Sequence, residues 1–135
     1  MRKPYIIDFQ NIDSETGVLN IFEVQNQIDF DIKRVFILND IKNDILRGNH
    51  AHKKTDQLLI CLTGEIEIFT ELPNGLKYNY ILSNSRAGLF LPAEAWHFMN
   101  YKKNSIQLVC ASQFYNENDY LRTKDQFEEY YKDIQ

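Results

Sequence analysis

Apolar and polar positions alternate over short distances along this chain. Runs rich in β-branched and aromatic side chains recur at Tyr5–Phe9, Leu19–Val24, Ile32–Leu38, Gly48–Lys53, Gln57–Leu62, Ile66–Glu71, Leu76–Leu82, Ala87–Leu91, Trp96–Met99 and Ile106–Ser112. Each has the length of a β-strand. Turn formers separate them, among them Thr63-Gly64, Pro73-Asn74-Gly75 and Ser83-Asn84-Ser85. Asn74-Gly75 has hairpin form, because both residues tolerate positive φ. Many short strands at regular spacing predict an all-β sandwich or barrel. The pattern changes after Thr123. Thr123 and Gln126 stand in capping-box positions, and Phe127, Tyr130, Tyr131 and Ile134 follow at helical spacing. A short C-terminal helix is expected to close the chain against the β-core, with Phe127 and Tyr130 facing inward. No repeat or linker interrupts the pattern, so residues 1–135 read as one domain.

Charge narrows the partners. The formal net charge is −4 and the pI about 5.3, which argues against nucleic acid as a partner. No apolar run approaches membrane-spanning length, and no apolar leader follows Met1-Arg2-Lys3, so no membrane partner is expected. Cys61 and Cys110 lie in strand-like runs without metal-ligand spacing and read as buried free thiols in a reducing cytoplasm.

The candidate chemistry centres on His50 and His52. The chain has three histidines, and two of them share one tripeptide. On a strand, positions i and i+2 face the same way, so both imidazoles should enter one space while Asn49 and Ala51 face the other. Histidine titrates near neutrality and also binds metals, which leaves a proton-transfer site and a metal site open. Gln57, Gly64, Gly88, Pro92 and His97 follow in an order and spacing that resemble the two motifs of the cupin superfamily. In those motifs a third histidine and a glutamate join the His-x-His pair around a metal. Gln57 occupies the glutamate position and is a weaker, neutral ligand.

The resemblance becomes more specific in Arg47-Gly48-Asn49-His50-Ala51-His52-Lys53, Gln57-Leu58-Leu59-Ile60-Cys61, Leu91-Pro92-Ala93-Glu94-Ala95-Trp96 and Tyr115-Asn116-Glu117-Asn118-Asp119-Tyr120-Leu121-Arg122. Together these stretches resemble the sugar 3,4-ketoisomerases, metal-free cupins acting on dTDP-4-keto-6-deoxyglucose. The resemblance implies a cupin jelly-roll β-barrel and a homodimer, commonly with an exchanged N-terminal strand. It implies no metal and no cofactor, proton handling by His50 and His52, and a nucleotide diphosphate near Arg47 and Arg122. Lys53, Gln57, His97 and Tyr120 are the further substrate-binding candidates, with Tyr115 and Trp96 as stacking surfaces. The product expected within this family is a 3-keto-6-deoxyhexose, destined for amination and surface glycans such as the O-antigen of lipopolysaccharide. His97, as a donor on a second ring face, points to the galacto isomer. Two departures from the pattern stand out: Phe36 and Ile37 where tyrosine is expected, and Thr16 where a larger or basic residue is common. A metal-dependent cupin using His50, His52, His97 and Gln57 is one rival reading. A non-catalytic sugar-nucleotide-binding module is another.

Overall fold

The computed structural model describes residues 1–134. Two antiparallel five-stranded sheets face each other. The strands are β1 (Tyr5–Asp8), β2 (Gln10–Ser14), β3 (Gly17–Ile21), β4 (Arg34–Leu38), β5 (Ile45–His52), β6 (Gln57–Thr63), β7 (Ile66–Glu71), β8 (Lys77–Leu82), β9 (Ala87–Leu91), β10 (Trp96–Tyr101), β11 (Ile106–Ala111) and β12 (Tyr120–Leu121). One sheet runs β1-β9-β6-β11-β4 and the other β12-β5-β10-β7-β8, while β2 and β3 form a separate hairpin. β4 pairs with β11, β5 with β10, β6 with β9 and β7 with β8. That nested pairing is a long hairpin rolled over on itself, the jelly roll. The expected all-β jelly roll is therefore present, as a sandwich of two ladders rather than one continuously hydrogen-bonded barrel.

Period-two alternation sorts the side chains into three layers. Between the sheets, Leu59, Cys61, Ile66, Ile68, Leu89, Leu91, Met99, Tyr101 and Val109 pack together. On the outer face of the first sheet, Leu58, Ile60, Phe90 and Cys110 are covered by Ile7, Phe9, Ile28 and Phe30 from the N-terminal segment. On the outer face of the second, Ala51, Trp96 and Leu121 receive Phe127 and Tyr131 from the helix α1 (Lys124–Tyr131). Both cysteines are buried and free, and burial pushes the Cys61 thiol up to about 11.

α1 begins as expected. Thr123 accepts from the Gln126 amide, and the Gln126 side chain returns a bond to the cap backbone. Its inward residues are Phe127 and Tyr131. Tyr130, expected in the core, is 43% exposed, and Ile134 lies exposed beyond the end of the helix. Eight residues make little more than two turns, so only one i, i+4 pair can face the sheet. Two strands escape the apolar pattern. β2, Gln10-Asn11-Ile12-Asp13-Ser14, is too polar to read as a strand and exists because it pairs with β3. β12 has two residues and is held by His52 and Ala51.

Candidate active site

The site lies between the sheets where the apolar filling stops. A cavity of about 280 Å³ opens there, lined by Arg47, His50, Gln57, His97, Tyr120 and Phe36 among others. Its floor is a polar pair rooted in the core: Tyr101 Oη donates to Gln107 Oε1 at 2.6 Å. Burial raises the Tyr101 phenol well above its usual range, so it stays protonated as a donor.

A bulge in β5 aims the cationic and imidazole groups together. His50 pairs with His97, but the next pair is Gly48 with Phe98, so Asn49 is an extra residue on β5. Gly48 and Asn49 both have positive φ, at 101° and 60°. A bulge reverses the side-chain parity on one side of itself. Arg47 and His50, three positions apart, consequently reach the same cavity. Gly48 is required for a second reason. A Cβ there would stand 3.0 Å from Phe98 Cα and 3.1 Å from the His97 carbonyl oxygen. Asn49 turns to the outer face of the sheet, beside Trp96 and Phe98, as the alternation predicts.

The three imidazoles cluster. The His50 ring centroid is 4.6 Å from that of His97 and 5.2 Å from that of His52. Tyr120 lies against both members of the pair, 5.2 Å from His50 and 4.5 Å from His52. The two histidines of the tripeptide are nevertheless not equivalent. His50 lines the cavity, whereas His52 is 2% exposed and sits behind it. Burial, followed by the neighbouring His52, pushes the His50 pKa down to about 4, against the raising influence of the Gly48 backbone. His97 Nδ1 lies 3.1 Å from the Ala95 carbonyl, and burial, followed by His50, holds its pKa well below the usual value. His50 and His97 are therefore neutral bases at pH 7. In His97 the nitrogen facing the carbonyl, Nδ1, must carry the proton, which leaves Nε2 with its lone pair.

His52 has a partner absent from the sequence expectations. Its Nδ1 is 3.1 Å from Asp119 Oδ2. The same carboxylate accepts from the Thr55 hydroxyl and, at 2.7 Å, from the Lys54 amide. Burial works to raise the Asp119 pKa, but hydrogen bonds from His52, Thr55 and Lys54 overcome it and hold the carboxyl well below its usual range. Asp119 sits in the Glu117–Asp119 turn of 3₁₀-helix, just before β12. Its only sequence signal is a carboxylate within the stretch that carries the resemblance.

The remaining candidates are partly dispersed. Arg122 stacks over Tyr120 at 4.2 Å and forms a forked pair with Glu117, at 2.6 and 2.9 Å. Hydrogen bonds from Arg122 and then Tyr115 hold Glu117 down to about 2. Lys53 does not share the histidine face: it directly follows His52, so strand alternation would turn it the other way, and β5 ends at His52 in any case. Its ammonium instead stands 5.5 Å from the centre of the Tyr130 ring. Trp96 packs beneath α1, and Tyr115 is exposed and bonded to Glu117. Thr16 lies in the β2–β3 turn, paired with Ser14. Phe36 lines the cavity, so the phenols on offer there are Tyr101 and Tyr120.

These donors do not fit a metal centre. Among the described residues no three His, Cys, Asp or Glu side chains are disposed to hold a metal ion. Gln57 contributes only a neutral amide.

The comparisons with known proteins converge. The family profile described as FdtA: WxcM-like, C-terminal matches residues 2–132. The chain belongs to this family. It is 35% identical over 126 residues to a TDP-4-oxo-6-deoxy-α-D-glucose-3,4-oxoisomerase from Aneurinibacillus thermoaerophilus, covering 93% of this chain and 90% of that one. It superposes with a TM-score of 0.90 and 34% identity on a sugar 3,4-ketoisomerase from Thermoanaerobacterium thermosaccharolyticum in complex with TDP, covering 97% and 96% of the two chains. A 3,4-ketoisomerase from Helicobacter canadensis matches at a TM-score of 0.89 and 35% identity, over 96% and 98%. The chain is thus a member of the sugar 3,4-ketoisomerases, an isomerase on the cupin jelly roll.

Proposed function

We propose that this ketoisomerase converts dTDP-4-keto-6-deoxy-D-glucose to a dTDP-3-keto-6-deoxyhexose. The observation that carries the reading is the placement of His50 and His97, both neutral and each with one ring nitrogen unengaged by backbone, in one cavity beside Arg47. A ketone at C-4 makes the C-3 hydrogen acidic enough for an imidazole to remove. His50 takes that proton. The C–H electron pair becomes the C-3–C-4 double bond, and the ketone π pair moves to O-4. His50 then passes its proton to O-4, completing the enediol. Collapse to the 3-ketone requires O-3 to lose a proton and C-4 to gain one, and we assign both to His97. The C-3 hydrogen of the substrate and the C-4 hydrogen of a galacto product lie on the same ring face, so the expected galacto isomer requires His97 to deliver from the face on which His50 removes the proton. A donor on the opposite, second face gives the gluco isomer instead. Tyr120 and Gln57 offer polar groups to the oxygens, beside Tyr101, whose own proton is given to Gln107. Arg47 and Arg122 are assigned to the diphosphate, for which Arg122 must exchange Glu117 for phosphate oxygens. The product suits a following amination at C-3, in synthesis of an amino sugar for surface glycans within the cytoplasm.

We further infer a homodimer. Ile12, Val18 and Leu19 on the β2–β3 hairpin and Val35 and Ile37 on β4 are exposed apolar side chains that a second copy would cover. Light scattering on the purified protein tests this, and a monomer at micromolar concentration would refute it.

The deciding experiment is incubation with dTDP-4-keto-6-deoxyglucose in deuterated water, followed by NMR of the sugar. Deuterium entering the ring with a 3-ketone product is expected, and the C-4 configuration is read from the same spectrum. Binding without exchange would favour the non-catalytic module instead.

A further inference from the structure

The carboxylate of Asp119 collects donors from three places. These are the His52 ring, the Thr55 hydroxyl and the Lys54 backbone. The backbone around it is tied down as well. The Lys53 amide donates to the Asp119 carbonyl at 2.8 Å, and β12 pairs with the end of β5. An ionised carboxylate only accepts, so the ring nitrogen facing it must be N–H. The other nitrogen, His52 Nε2, is buried and has no hydrogen-bond partner among the described residues. Without Asp119 no side-chain hydrogen bond at either ring nitrogen, among the described residues, would fix which of them carries the proton or which way the ring is turned. The ring is also a structural surface: His50 meets it edge-on, with an interplanar angle of 88°, and Tyr120 tilts against it. Both neighbours line the cavity.

We propose that Asp119 is a positioning residue of the reaction: it holds His52 in the Nδ1–H tautomer and in one orientation, and His52 in turn braces His50 and Tyr120 at the cavity wall. Asp119 touches no reacting atom and acts through His52. This rests on the functional reading above and adds a residue to it. The segment Glu117–Arg122 then has two tasks. Its outward side presents Tyr120 and Arg122 to the substrate, and its inward side anchors the imidazole behind them.

Asp119→Asn separates charge from shape. One amide oxygen cannot accept from all three donors, and the amide N–H₂ must face one of them. A folded Asp119→Asn protein is expected to lose on the order of tenfold to a hundredfold in kcat, with KM for the sugar nucleotide within about twofold. Asp119→Glu, which keeps the carboxylate, is expected to recover part of the loss. The readout a purely structural role would not move is the tautomer. The chain has only three histidines, so the imidazole nitrogen resonances can be assigned in ¹⁵N-labelled protein. The unsubstituted protein should show His52 protonated at Nδ1, and Asp119→Asn should shift it toward Nε2–H. An Nε2–H tautomer in the unsubstituted protein would overturn the proposal. So would a folded Asp119→Asn enzyme with unchanged kcat, or one whose loss lies entirely in KM with the tautomer retained. Should Asp119→Asn not fold, Thr55→Val removes one donor from the same carboxylate and should lower kcat several-fold; full activity there overturns the proposal equally. A parent protein that leaves dTDP-4-keto-6-deoxyglucose untouched would count against the functional reading alone, because the tautomer is read without substrate.

Discussion

His50 and His52 are two residues apart, and their surroundings give them different work. His50 faces the cavity with burial as its main perturbation, while His52 is sealed behind it against Asp119. Replacing His50 by Asn keeps approximate size and removes the base. On the proposed mechanism, C-3 hydrogen exchange should fall by about a thousandfold, within the range for a general base. Solvent-deuterium NMR checks this, and retained exchange would move the base to another residue. Arg47 belongs to the same scale. Arg47→Ala should raise KM for the sugar nucleotide by about tenfold with kcat little changed, since a phosphate contact is made equally in ground and transition states. Steady-state kinetics separate the two terms. The residue types at this scale were legible in the sequence, and the motif resemblance placed His97 as a third histidine beside the His50 and His52 pair. The separation of His50 from His52 was not, because equal parity on a strand says nothing about what lies in front of each ring.

At the level of elements, the β5 bulge and α1 make the site possible. The bulge turns Arg47 into the cavity and depends on Gly48 at positive φ, with β10 close beneath it. Gly48→Ala should lower the melting temperature and raise KM together, because the strand cannot keep both its register and the bulge. Wild-type stability and KM in that variant would show that the bulge tolerates a Cβ. α1 anchors the far side. Phe127 is fully buried against Trp96, and Phe127→Ala should cost about 3–5 kcal/mol by urea unfolding. The helix start was legible, since a capping box is local chemistry. The bulge was not, because it is defined only by the partner strand. The same holds for β2 and β12, which exist by pairing rather than by composition.

For the whole molecule, the acid limb of stability follows from the buried site. The pKa of His50 lies near 4 in the fold against 6.5 ordinarily, and that of His97 is lowered too. Between those values the unfolded chain binds a proton that the folded chain refuses. The stabilisation is therefore complete above about pH 6.5 and lost as pH falls toward 4, by up to about 3 kcal/mol from His50. The lowered Asp119 acts in the same direction further down. Urea midpoints at pH 7 and pH 4.5 should show the fall, and equal midpoints would place water around these rings. Taken by itself, the sequence determined the all-β class, the capped helix, the His-x-His pair and the family resemblance, because periodicity, local hydrogen bonding and motif spacing are written along the chain. The tertiary structure decided which histidine meets the cavity, which carboxylate stands behind the other, and where Lys53 and Arg122 point. Those depend on strand register, on where a strand ends, and on contacts between residues as far apart as His52 and Asp119, which no local pattern encodes.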